Sequence, residues 1–284
     1  MHVSVLSQEV LEYLKPQSGE NFIDCTINGG GHAEMILERI KPKGRLLGIE
    51  ADPEIFKKIK KDQQLITVNS NFVHLKEIVK ERNFFPVSGI LFDLGFSSWH
   101  VDESGKGFSF SKNEFLDMRY SSDGITAWQI VNKSKEQELV SIFKEYGEER
   151  FSKIIARRII ERREKETIDT SLQLAEIIEE SIPGKFKKGK IHPATRVFQA
   201  LRIEVNQELE NLKEVLPQAV EVLSPKGRIV VISFHSLEDR IVKHFFKNRQ
   251  DLEILTKKPV LAGEEEINNN MRSRSAKLRA AQKK

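Results

Sequence analysis

A few polar residues stand where short apolar runs stop, and their types suit the grip of a small charged ligand. Asp24 and Thr26 close one run, and Asn28-Gly29-Gly30-Gly31-His32 follows. Glycines here let backbone N–H groups approach a ligand closely, at a helix N-terminus that favours negative charge. No Gly-Lys-Ser/Thr follows, so this is not a triphosphate loop, and Glu34 breaks the G-x-G-x-x-G pattern of pyrophosphate binding. Glu50 ends the next run about twenty residues on, where an acid can accept both hydroxyls of a ribose. A glycine turn followed by such an acid points to a nucleoside-containing cofactor. Without the pyrophosphate pattern, S-adenosylmethionine fits better than a dinucleotide, because its carboxylate and ammonium suit the turn's N–H groups and Asp24.

Asp93 ends a further run, in Asp93-Leu94-Gly95-Phe96-Ser97-Ser98. Ligands of open α/β sheets bind beyond the carboxyl ends of the strands, so Asp24, Glu50, Asp93 and His235 are expected to face one crevice. Methylation at C5 of a pyrimidine needs a cysteine nucleophile. The one cysteine, Cys25, lies inside a strand beside the glycine turn, which favours transfer to N or O. Such a displacement needs positioning above all, plus a group that orients the nucleophile and takes its proton. Asp93 is the expected acceptor toward an exocyclic amine. Phe96 or Trp99 offers a ring for base stacking, with core packing the expected role of Phe96. His192-Pro193-Ala194-Thr195-Arg196 with Arg202, and Ser233-Phe234-His235-Ser236, add donors. His235, His192 and Asp93 have no metal-ligand spacing, so no metal is expected.

The elements that must position these groups alternate at first. Strands are expected over 21–26, 45–49, 65–68 and 87–92, with helices over 33–40, from Pro53 to about Lys61, and over 73–81. That alternation argues for βαβ units and a parallel sheet. From 104 to 200 the pattern changes to helices over 135–146, 149–163 and 171–181. In the second of these, Ile154, Ile155, Ile159 and Ile160 make a buried stripe, with Arg157, Arg158, Arg162 and Arg163 on a solvated face. A helix over 206–223, a strand over 228–234 and a helix over 238–247 resume the series. The expected architecture is an α/β sheet domain (1–103 and 201–284) interrupted by a helical, substrate-recognising domain (104–200) and ending in a basic tail.

The 284 residues carry 46 Lys+Arg against 42 Asp+Glu, a formal charge of +4. One cysteine excludes a disulfide framework and suits a reducing cytosol. The N-terminus has no basic segment and carries Glu9 and Glu12, unlike a signal peptide. Apolar runs such as Ile229–Ile232 fall far short of the ~20 residues a membrane helix needs. A soluble cytoplasmic protein without a membrane partner is expected, and a homodimer is left open. Cations cluster in two places, Lys185, Lys187, Lys188 and Lys190, and Arg272, Arg274, Lys277, Arg279, Lys283 and Lys284, and both clusters suit phosphates.

At these motifs the chain resembles the bacterial 16S rRNA (cytosine-N4)-methyltransferase family nearly end to end. The likeness rests on His2-x-x-Val5-Leu6-x-x-Glu9, Asp24-x-Thr26-x-x-Gly29-Gly30-Gly31-His32, Asp93-Leu94-Gly95-x-Ser97-Ser98, Gly107-Phe108-Ser109-Phe110 and Leu116-Asp117-Met118-Arg119. It continues through Tyr146-Gly147-Glu148-Glu149-Arg150, His192-Pro193-Ala194-Thr195-Arg196, Ser233-Phe234-His235-Ser236-Leu237-Glu238-Asp239-Arg240 and Arg272-x-Arg274-Ser275. The resemblance implies a class I, Rossmann-like methyltransferase sheet with a helical insertion. It implies S-adenosylmethionine-dependent methylation of N4 of one cytosine in the decoding region of 16S rRNA, within the small ribosomal subunit. By motif position, Gly30, Gly31 and His32 would hold the cofactor's amino-acid end, Glu50 the ribose, Phe72 the adenine, and Asp93 the adenine or transferring methyl. His100 would be the last cofactor contact, where the family commonly has Gln. Asp93 and His235 are the expected catalytic residues, and His192, Arg196, Arg202, Arg272 and Arg274 the expected substrate contacts. Two rival readings are a ribosome-assembly factor without turnover and a methyltransferase acting on protein or a small molecule.

Overall fold

The computed structural model describes residues 4–187 and 191–284. His2 and the part of the expected basic run from Lys188 to Lys190 lie outside the described residues. Two compact units form: Met1–Phe96 with Leu209–Lys284, and Ser97–Glu208.

The first unit is built on a sheet of β1 (Phe22–Asp24), β2 (Leu46–Glu50), β3 (Leu65–Asn69), β4 (Val87–Asp93), β5 (Leu223–Ser233), β6 (Leu252–Ile254), β7 (Val260–Leu261) and β8 (Lys277–Lys283). The order is β3-β2-β1-β4-β5-β8-β6, with β7 on β8. The first five strands pair in parallel, and β8 runs antiparallel to β5 and β6. Both faces are covered, so side chains of successive residues go to opposite cores. Ile23, Leu47, Ile90, Phe92, Ile229 and Val231 pack with the helices Leu75–Glu81 and Ser236–Asn248. Phe22, Leu46, Leu91, Val230 and Ile232 pack with Ser7–Leu14 and Gly31–Ile40. The chain runs from β1 outward to β3, then crosses back to β4 on the other side of β1. This reversal is where class I sheets bind ligands, and Asp24 and Asp93 end the two strands that flank it.

The second unit packs the helices Ala127–Lys133, Glu136–Glu145, Ser152–Arg163, Ser171–Ser181 and Thr195–Asn206 around Leu139, Phe143, Ile155, Ile159, Leu174, Phe198 and Leu201. Reciprocal caps start two of them, Thr126 with Gln129 and Thr170 with Gln173.

Several expectations change. The units divide at 96/97 and 208/209, where the sequence reading placed 103/104 and 200/201. His100, on the short helix Ser98–Asp102, packs its ring 5.0 Å from those of both Phe108 and Tyr120, and Phe198 and Leu201 belong to the second core, so both segments join that unit. Ile154 leaves the buried stripe at 46% exposure. The 100° step per residue buries Ile155 and Ile159 and turns Ile154 out among the arginines. The helix at Pro53 ends at Phe56, since the lysines that follow give it no apolar face.

The largest correction concerns the basic tail. Residues 277–283 are an inner strand: β8 pairs with β5 from Arg228↔Gln282 to Ser233↔Lys277, and Leu278, Arg279, Ala280 and Ala281 are buried. Its cations are used internally. Arg279 Nε donates to Asp239 at 2.6 Å, and Lys283 Nζ donates to the carbonyls of Val220 and Leu223, each at 2.7 Å. Arg272 and Arg274, in the 3-10 turn Met271–Ser275, remain exposed. Among the described residues no helix is long and apolar enough to cross a membrane.

A chain ending at Ala276 is therefore expected to lose its cooperative thermal transition, followed by circular dichroism. The milder Leu278→Ala should cost about 2–5 kcal/mol in denaturant unfolding. A truncated chain that melted like the full one would contradict the strand.

Candidate active site at the carboxyl ends of β1, β2 and β4

After β1 the backbone bends through left-handed conformations at Asn28 (φ 46°) and Gly30 (φ 83°), and the Gly30 N–H bonds the Ile27 carbonyl at 2.8 Å. Gly30 thereby caps the helix Gly31–Ile40. A side chain at Gly29 or Gly30 would meet nothing within 4 Å, so this side of the turn is an open cradle. At Gly31 the constraint is the reverse: a Cβ would fall 2.0 Å from Ser4 Oγ, so glycine lets the N-terminal segment lie on the helix start. The first N–H groups of a helix have no partner within it, and they suit a carboxylate.

Behind this turn, Asp24, His32 and Asp93 are brought together. Asp24 and His32 are buried, and the Asp93 side chain is 16% exposed. His32 Nε2 lies 2.9 Å from the Val5 carbonyl oxygen, and Nδ1 lies 3.4 Å from Asp93 Oδ2. Burial alone would lower the imidazole's pKa, but the hydrogen bond and charge of Asp93, with the charge of Asp24, raise it to about 9. The ring is thus an imidazolium at neutral pH, and both its N–H groups donate. Burial raises the Asp24 carboxyl to about 6, against the pull of His32 and of the Thr26 N–H. Asp93 is fixed from two sides: its N–H donates to Thr26 Oγ1 at 2.7 Å, and His32 holds Oδ2. Its Oδ1 is buried and accepts no hydrogen bond among the described residues. Both His32 nitrogens being spent within the protein, the group His32 can offer a ligand carboxylate is its backbone N–H.

Glu50, 6% exposed, accepts the Asp52 N–H at 2.8 Å on Oε1 and the Asn28 N–H at 3.0 Å on Oε2. It thus ties β2 to the glycine turn, and each oxygen keeps a second lone pair for a hydroxyl. Burial raises its carboxyl to about 7, against those two N–H groups. Phe72 sits in the 3-10 turn Phe72–His74 with its ring 5.9 Å from that of Phe92, edge to face. The set fits S-adenosylmethionine: an open glycine cradle for its amino-acid end, a buried acid for its ribose, a ring for its adenine, and an orphaned carboxylate oxygen.

The other expected residues are placed differently. His235 is the N-cap of Ser236–Asn248, with Nε2 3.2 Å from Glu238 Oε1, while Glu238 Oε2 accepts the N–H groups of Phe234 and His235. That imidazole caps the helix through Nδ1, 3.5 Å from the Glu238 backbone nitrogen, while its buried Nε2 has no hydrogen bond among the described residues. Arg202 is buried, and its fork donates to Glu208 at 2.8 and 2.9 Å, so it is not presented to a substrate. Tyr120 also donates to Glu208. His192 stacks on Phe110 (ring centroids 4.3 Å apart) and meets Glu179 at 2.6 Å. Arg196 donates to the Glu148 carbonyl. His100 Nδ1 accepts the Ser97 N–H at 3.1 Å. Phe96 is 40% exposed, not core. Residue types alone gave no sign that Ser4 and Val5 stand at the glycine turn. Their one signal was the resemblance at His2-x-x-Val5, and Leu6, next along, donates its N–H to Glu266 at 2.7 Å.

The charge on His32 has a consequence for stability. A folded pKa of about 9, above the ordinary 6.5, stabilises the fold fully below pH 6.5, and this contribution is lost as pH rises through 9. The raised Asp24 and Glu50 carboxyls titrate below this upper range, near 6 and 7. The melting temperature should therefore fall between about pH 7.5 and 9.5, and His32→Gln should flatten that fall. An unchanged slope in the variant would remove the imidazolium from the account.

The whole chain, residues 1–284, matches the MraW methylase family. It is 45% identical over 303 residues to a protein of Syntrophotalea carbinolica named ribosomal RNA small subunit methyltransferase H, covering 98% of this chain and 96% of that one. It is 47% identical over 292 residues to a protein of the same name from Trichormus variabilis, covering 100% and 92%. With a strand reversal flanked by two aspartates, a glycine cradle and a full-length match, the chain belongs to the MraW methylase family and is an S-adenosylmethionine-dependent methyltransferase of class I fold.

Proposed function

We propose that this chain methylates N4 of one cytosine in the decoding region of small-subunit rRNA, acting in the cytoplasm. The observation that carries the reading is Asp93 Oδ1, a buried carboxylate oxygen with no hydrogen bond among the described residues, beside the glycine cradle. The names of the relatives support rRNA as substrate. Cys25 supports transfer to nitrogen over C5: it is buried, and burial pushes its thiol well above 9.

Gly30, Gly31 and the His32 N–H would hold the donor's amino-acid end, Glu50 its ribose and Phe72 its adenine. When bound, S-adenosylmethionine supplies an electrophilic sulfonium methyl group. An exocyclic amine is a weak nucleophile because its lone pair is drawn into the ring. Asp93 Oδ1 accepts one amine N–H, which orients the nitrogen, and takes that proton once the new N–C bond, formed as the methyl–sulfur bond breaks to release the neutral thioether, makes it acidic. Thr26 and His32 keep Asp93 from turning away. His192, Arg196, Arg272 and Arg274 contact the RNA, whereas Arg202 serves the framework through Glu208.

Asp93→Asn should lower single-turnover methylation at saturating donor at least about 100-fold, and the melting temperature should fall with it, because His32 loses its buried counter-charge. Nucleoside mass spectrometry of rRNA from cells with and without the gene should show N4-methylcytidine lost at one position. A variant with near-normal turnover would displace Asp93 from its role, and unchanged nucleosides would overturn the substrate.

A further inference from the structure

The Ser152–Arg163 helix carries Lys153, Arg157, Arg158, Arg162 and Arg163 against one acid, Glu161. In a chain whose total formal charge is only +4, this is a concentrated excess. Ile155, Ala156 and Ile159 face the core, which turns Lys153, Ile154, Arg157, Arg158 and Arg162 to solvent. We infer that this outward face binds the phosphate backbone of the RNA substrate; the inference rests on the RNA reading above.

What marks the face is how many cations one helix leaves unpaired. Some exposed lysines of the sheet unit meet carboxylates, such as Lys57 with Glu54 at 2.6 Å and Lys76 with Glu221 at 2.6 Å. Among the described residues Arg158 is the one cation of this helix that does so, with Glu161 at 2.9 Å. Arg163 folds back onto the carbonyls of Val131 and Ser134. Lys153, Arg157, Arg162 and Lys165 have no side-chain hydrogen bond or ion pair among the described residues. Four cations this close, with no ion pair among the described residues, repel one another, and a polyanion relieves that repulsion.

The shape agrees. One shallow hollow is lined by Lys153, Ile154 and Arg157, a neighbouring one by Arg162 and Lys165, and both share Arg158 and Glu161. Glu166 and Glu180 border the second hollow, which concentrates the uncompensated charge at the Lys153–Arg157 end. From Lys153 to Arg162 the helix rises about 14 Å, a span over which a nucleic acid presents several phosphates. Ile154, 46% exposed amid the cations, offers an apolar surface to a sugar or base. Protein interfaces are depleted in lysine at their centres and enriched in aromatic rings. These hollows share arginine with such interfaces but have no aromatic ring in their lining and carry Lys153 and Lys165, a composition that favours nucleic acid.

The test measures binding of the full chain to a transcript of the decoding region across about 50–200 mM salt. Lys153→Gln/Arg157→Gln/Arg162→Gln is compared with a control, Lys80→Gln/Lys243→Gln/Lys247→Gln, whose lysines are exposed. Each lost phosphate contact should reduce the slope of log affinity against log salt by about 0.7–0.9. The helix variant should thus lose about 2–3 in slope and at least about tenfold in affinity at moderate salt. Its S-adenosylmethionine affinity and melting temperature should hold, and the control should bind as the parent does. An unchanged slope, or an equal loss in the control, overturns the inference while leaving the RNA reading standing. A parent chain that binds no RNA overturns both.

Discussion

The site depends on one buried ionic contact, the imidazolium of His32 held between the Val5 carbonyl and Asp93. Two carboxylates, Asp24 and Asp93, end the strands on either side of the sheet's reversal, and leaving both ionised there is costly without a cation. His32 supplies that cation from the first turn of the helix that the glycine bend begins. Because burial opposes its charge and the carboxylates overcome it, the proton on His32 reports how tightly the three groups are held. The same contact leaves Asp93 one committed oxygen and one uncommitted, which is the asymmetry an acceptor toward an amine requires.

The glycine bend is shaped from both sides. Gly30 has a left-handed backbone and an open flank, while Gly31 yields space to Ser4. Glu50 then ties the bend to β2 through the Asn28 N–H, so the cradle and this buried acid are one assembly. A ligand gripping both binds a surface already organised, and less ordering entropy opposes its binding.

Charge is divided differently in the two units. In the sheet unit the cations of the C-terminal strand serve the fold: Arg279 pairs with Asp239, and Lys283 satisfies carbonyl groups at the end of the helix before β5. In the helical unit Arg157 and Arg162 of one helix are left outside, with no ion pair among the described residues. Residue counts treat these cations alike, and only their neighbours separate structural charges from those available to a polyanion.

Much of this was legible in the sequence. The alternation from β1 to β4, the glycine bend, and the acids at positions 24, 50 and 93 are local signals, because a parallel strand buried on both faces must be apolar and must stop at a polar residue. The Ser171–Ser181 helix was readable from its 3.6-residue period. Tertiary structure alone decided the rest. Residues 277–283 read as a basic tail because Lys, Arg, Ala and Gln have little preference for strands; pairing with β5 and β6 makes them one. Arg202 looks like a functional residue until Glu208 is seen to occupy it. Val5, distant in sequence from Asp93, meets the same imidazole only because the N-terminal segment lies on the glycine helix. Periodicity and residue type act within a few residues of chain, whereas pairing, burial and counter-charge are set by neighbours that only the fold brings near.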